Sequence, residues 1–171
     1  MKISTRQITL CAVLAALALG LSYLESFFPL TLAIPLPGVK LGLANIVTVF
    51  ALYALGGGCA LSILLVRVLL GAMFAGNASA LIFSLLGGLS ALAAMLVLRR
   101  IDALSVFGVS IGGAAAHNCG QVLAAMLTLG SSAPLAYLPL LLLLSIFTGA
   151  LTGLIASLLF RALRHTQITK P

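Results

Sequence analysis

Acidic residues are almost missing from this chain: Glu25 and Asp102 are the only two among 171 residues, against nine Lys and Arg. Magnesium-dependent chemistry on diphosphates needs paired carboxylates. These two are expected on opposite sides of the hydrophobic pattern described below, so this chain alone is not expected to catalyse a prenyl diphosphate reaction, and no Asp-rich prenyltransferase motif is present. Charged residues of both signs make up 6% of the sequence and tryptophan is absent, whereas a soluble domain carries roughly a quarter charged residues. No Gly-x-x-x-x-Gly-Lys-Ser/Thr loop exists, which removes ATP hydrolysis by the P-loop route. Uphill transport would then draw its energy from partner subunits or an ion gradient.

Cysteine and histidine are also scarce. Cys11, Cys59 and Cys119 form no Cys-x-x-Cys element; the expectation is small, buried, apolar side chains, with a membrane redox role completed by another subunit as the alternative. His117 has no second His or Cys pair at ligand spacing, so neither a tetrahedral metal set nor a cofactor is expected. Cys119, two residues from His117, falls on a different helix face and does not make a nucleophile–base pair with it.

What is present is membrane-grade sequence, 63% hydrophobic with a mean hydropathy of +1.31. A transmembrane helix needs about 20 mostly apolar residues, and six such runs separate at Gly, Pro and charge clusters. They cover about 8–30, 40–55, 59–74, 78–98, 104–129 and 137–160. The pattern predicts one all-α domain over 1–171, an integral membrane bundle of six transmembrane helices. A Pro-rich connector, Thr31 to Val39, joins the first two spans.

Basic residues orient the bundle. Lys2 and Arg6 precede span one, Arg99 and Arg100 follow span four, and Arg161, Arg164 and Lys170 follow span six. With six spans these boundaries share one side, which the positive-inside rule assigns to the cytoplasm. The expectation is a multi-pass protein of the cytoplasmic membrane with both termini inside. The net charge of +7 is this asymmetry, so its partner is anionic lipid and not nucleic acid. Lys2 and Arg6 before an apolar run also resemble a signal peptide, but the run exceeds the ~7 to 15 residues of a signal core.

Within the spans, polar residues are few and costly. Glu25 lies in the outer part of span one and Arg67 near the middle of span three. Either they pair and hold the bundle together, or they line an outward-facing cavity in which Arg67 neutralises an anionic group on a ligand. His117 and Gln121 share one face of span five, with Asn118 turned about 100° away; they either bind a ligand or satisfy neighbouring helices. Lys40 breaks the positive-inside pattern, and Asn45 follows it into span two. Ala12, Ala16 and Gly20 form a small-residue stripe on span one, suited either to a helix of the bundle or to a separate membrane partner. Gly108 with Gly112, and Gly149 with Gly153, repeat the spacing in spans five and six and are expected to pack internally.

Four segments, Pro37-Gly38-Val39-Lys40-Leu41-Gly42-Leu43-Ala44-Asn45, Arg67-Val68-Leu69-Leu70-Gly71, Phe83-Ser84-Leu85-Leu86-Gly87-Gly88 and His117-Asn118-Cys119-Gly120-Gln121, together resemble the Gx transporter family. Its members are commonly labelled heptaprenyl diphosphate synthase component I. That family is similar to the substrate-binding (S) components of energy-coupling factor transporters, six-helix proteins that capture a vitamin-like solute outside and dock on a coupling subunit with two ATPases. In that group an Ala-x-x-x-Ala stripe on the first helix meets the coupling subunit, and Ala12 with Ala16 matches it. The resemblance thus implies a substrate-capture subunit for an unidentified small molecule. Arg67, His117, Gln121, Asn118, Asn45, Lys40 and Glu25 are the expected ligand contacts, and Ala12, Ala16 and Gly20 the docking face. The synthase label implies instead an accessory role beside a prenyltransferase in menaquinone isoprenoid synthesis. A third implication is a membrane scaffold of a quinone or flavin electron-transfer system.

Overall fold

A computed structural model describes residues 5–25, 27 and 40–163. The elements are α1 (Thr5–Glu25), α2 (Asn45–Ala54), α3 (Gly57–Ala75), α4 (Ala78–Leu98), α5 (Val106–Leu129), a 3-10 turn (Ala133–Tyr137) and α6 (Leu138–Ala162). The predicted connector 31–39 lies outside the described residues, as do Lys2, Arg164 and Lys170.

Local chemistry sets the helix ends. Gly76 closes α3 in the left-handed conformation at φ +65°, a backbone region that side chains disfavour. Asn77 then starts α4 by accepting a hydrogen bond from the Ala80 N–H at 2.7 Å, and Gly130 ends α5 as Gly76 ends α3. Successive helices alternate in direction. At one end the Arg99 guanidinium donates to the Leu52 carbonyl at 2.8 Å, and Phe50 stacks on Phe160 with ring centroids 5.2 Å apart. The C-terminal ends of α2, α4 and α6 meet there, so Arg99, Arg100 and Arg161 share that end of the bundle.

Among the described residues the rare polar groups lie inside, alongside an apolar core, while large apolar side chains cover the exterior. Glu25, Asn45, Arg67, His117, Asn118 and Gln121 are buried, while Val13, Leu17, Leu143, Phe147 and Leu158 are exposed. Such an exterior suits lipid tails, and α1, α3, α4 and the segment from Ala133 to Ala162 are each long and apolar enough to cross a membrane. The helix α5 has the length, 24 residues, but its polar run keeps it outside that group.

The second predicted span requires correction. Its helix has only 10 residues, about 15 Å of rise and half a hydrocarbon core. Lys40 to Ala44 are not helical; Gly42 takes φ +86° and the Asn45 N–H turns back onto the Gly42 carbonyl. The shortened helix lies at the centre of the bundle, against α1, α3, α4 and α6, with every residue from Asn45 to Leu52 buried.

The glycine expectations divide. A Cβ on Gly149 would stand 2.5 Å from the Ile111 Cα, and one on Gly153 would stand 2.9 Å from the Phe107 Cα. These glycines let α6 approach the α5 backbone directly, as the spacing predicts. Gly112 meets the Leu98 side chain of α4. In contrast, Ala12, Ala16 and Gly20 are exposed on α1, with open space around Gly20. The cysteines also depart from expectation. Cys119 faces outward, and Cys11 and Cys59 are half-buried neighbours on a groove of about 650 Å³ between the N-terminal ends of α1 and α3.

Gly149→Ala is expected to cost about 1 to 3 kcal/mol through overpacking, read as a lower thermal midpoint in detergent. Gly20→Ala, with no neighbour to displace, should be neutral or slightly stabilising.

Candidate functional site

The polar residues converge toward the bundle end opposite Arg99 and Arg161, and the break before α2 organises them. Backbone groups in a membrane must be satisfied within the protein, because no water is available in hydrocarbon. Lys40 to Ala44 have left helical pairing, and two side chains from distant helices supply acceptors. Glu25, the last residue of α1, accepts from the Gly42 N–H. Gln121 of α5 accepts from the Lys40 N–H through Oε1 at 3.2 Å.

The second bond fixes a chain of proton positions. A backbone N–H can only donate, so the Gln121 oxygen faces Lys40 and its amide nitrogen faces the other way. That nitrogen lies 2.8 Å from His117 Nε2, which therefore accepts. His117 is then neutral and carries its proton on Nδ1. This nitrogen lies against the Gly87 backbone without a well-formed hydrogen bond.

Two glycines of α4 make the space. A Cβ on Gly87 would fall 2.9 Å from His117 Nδ1, and one on Gly88 would fall 3.3 Å from Arg67 Nη2. Adjacent glycines inside a helix cost about 1 kcal/mol each relative to alanine. Here they let a guanidinium from α3 and an imidazole from α5 lie against the same stretch of α4. Gly42 closes the arrangement from the broken segment, since a Cβ there would stand 2.8 Å from Asn45 Nδ2 and 3.2 Å from the His117 ring.

Arg67 is the anomaly. It is 6% exposed, and among the described residues its buried Nε has no partner and no carboxylate pairs with it. Glu25 and Lys40 act on it only through longer-range electrostatics. The rest of the chain offers no remedy: Asp102 lies beyond the far end of α4, and residues 28–39 contain no acidic side chain. Asn45 adds a second buried group without a partner among the described residues, its Oδ1.

Arg67, His117, Gln121, Lys40, Glu25 and Asn45 therefore gather in one region. Asn118 does not join them, because its amide donates to the Leu141 carbonyl at 2.8 Å and ties α5 to α6. Ala12, Ala16 and Gly20 lie on a separate outward surface. Sequence reasoning left Gly42, Gly87 and Gly88 out of the site. The signal available was the glycine pair itself, an expensive choice within the 21-residue α4.

Gln121→Leu would leave the Lys40 N–H and His117 Nε2 unpaired, at about 1 to 3 kcal/mol of stability, and is expected to lose any co-purifying ligand. Asn118→Ala should show a stability loss with the ligand retained. Thermal unfolding and native mass spectrometry on the same preparations separate the two effects.

Comparison with curated proteins and with solved structures returns no match. A family model described as heptaprenyl diphosphate synthase component I matches residues 14–159. That match runs from the first helix through the last and takes in every side chain of the site, so the chain belongs to the heptaprenyl diphosphate synthase component I family.

Proposed function

We propose that this chain is the substrate-capture subunit of a small-molecule transporter, resembling the S components of energy-coupling factor systems and working with separate coupling and ATPase subunits. The observation that carries the reading is Arg67, a buried guanidinium with no carboxylate partner among the described residues, in a chain with almost no acidic residues. A buried, unpaired charge is strongly destabilising. A ligand bearing an anionic group compensates it when bound, and the backbone break beside it matches the discontinuous helices that form sites in many transporters.

In this reading α2 and the segment before it complete a six-crossing bundle, both termini are cytoplasmic, and the site opens outward. The exposed Ala12, Ala16 and Gly20 give the coupling subunit a close-approach surface on α1, which packs chiefly on α3 and α2. The family's description favours a second reading, an accessory membrane subunit of diphosphate synthesis. It leaves the unpaired Arg67 without a defined task.

Native mass spectrometry of protein extracted gently from its own membrane tests both readings. A bound hydrophilic molecule lost in Arg67→Ala, together with co-purifying ATPases, is the expected result. A prenyltransferase partner without ATPases would overturn capture in favour of the accessory role. Ala16→Trp should abolish co-purification of the coupling subunit while leaving the bound small molecule in place, because the side chain points away from the site. In Gln7→Cys, modification at position 7 by a membrane-impermeant thiol reagent added outside intact cells would show the assigned orientation to be wrong.

A further inference from the structure

We infer that the captured molecule presents a single carboxylate together with a neutral hydrogen-bond donor, and that a diphosphate is the wrong head group for this site. The inference rests on the capture reading and sharpens it by charge count. Two cations, Arg67 and Lys40, and one carboxylate, Glu25, lie within electrostatic reach of one another. With each group in its ordinary ionised form the sum is one net positive charge. His117 adds none, because the Lys40–Gln121–His117 chain of bonds makes Nε2 an acceptor and leaves the ring neutral.

No other charge among the described residues changes this sum. Arg6, Arg99, Arg100, Asp102 and Arg161 are at the other end, and residues 28–39 carry no charged side chain. A monoanion brings the buried region to neutrality. A diphosphate would bring at least one further negative charge into a low-dielectric setting, with no cation to receive it.

Geometry adds the head-group chemistry. The planar guanidinium of Arg67 matches a carboxylate through two parallel N–H···O bonds. Asn45 Oδ1 is buried and has no partner among the described residues, and as an acceptor it is suited to a donor from the ligand. A hydroxyl or amide N–H satisfies it without adding charge. An ammonium would raise the positive count again and leave the balance unmet.

The test uses the full purified chain in detergent with two probes, glycolate, a hydroxy-monocarboxylate, and inorganic pyrophosphate. Thermal unfolding is followed as each is titrated into wild type, Arg67→Gln and Glu25→Gln. Glycolate is expected to raise the wild-type midpoint saturably, with apparent affinity falling about tenfold or more in Arg67→Gln, and pyrophosphate to leave it unchanged. Glu25→Gln keeps an acceptor for the Gly42 N–H but adds one net positive charge, so it should gain a response to pyrophosphate. This second variant keeps the test decisive should Arg67→Gln fail to fold.

An Arg67-dependent shift with pyrophosphate in wild type would overturn the head-group assignment and leave anion capture standing. No shift with either probe, in wild type and Glu25→Gln alike, would overturn the anion site and the capture reading with it.

Discussion

A stretch of backbone that leaves helical pairing inside a membrane protein must find its hydrogen bonds elsewhere, and this constraint organises the polar half of the molecule. Lys40 to Ala44 are that stretch. The Gly42 N–H is met by Glu25 and the Lys40 N–H by Gln121. Each of these bonds joins residues far apart in sequence, so the break before α2 ties the C-terminal end of α1 to α5. Gln121 is also the hydrogen-bond partner of the His117 imidazole, and Glu25 is the carboxylate within electrostatic reach of Arg67 and Lys40. Support of the fold and construction of the site are therefore one arrangement.

The glycines are the counterpart of that arrangement. Gly87 and Gly88 admit His117 and Arg67 to the face of α4, at a cost in helix propensity that packing must offset. Gly149 and Gly153 do something different, bringing α6 onto the α5 backbone, where Asn118 adds its bond to Leu141. On α5, then, one face is fixed to α6 while the adjacent face carries His117 and Gln121. A helix held so firmly on one side is a stable platform for side chains on the other.

Much of the architecture was legible because hydrophobic length and basic boundaries are strong signals. The limits of α4 at Ala78 and Leu98 agree with the expected 78–98, and α3 and α5 lie within two residues of expectation. The second span departs from expectation because an apolar run says nothing about whether its backbone stays helical, and the backbone breaks at Gly42. The polar residues were identifiable from rarity alone. Their roles were not, since Asn118 and Gln121 are three positions apart yet bond to different elements. The stripe of Ala12, Ala16 and Gly20 was equally ambiguous in sequence, and only the packing of α1 shows that it faces away from the bundle.

Cys119 carries a practical consequence. It is exposed on α5 while His117, Asn118 and Gln121 around it are buried. A spectroscopic label on this native thiol would report from the outer surface of the helix that supplies the imidazole and the amide, without entering the site. Because the helix is rigid over so short a distance, any rotation or tilt that accompanies occupancy would appear at the label as a change in its surroundings. The molecule thus contains its own attachment point for watching the site from outside.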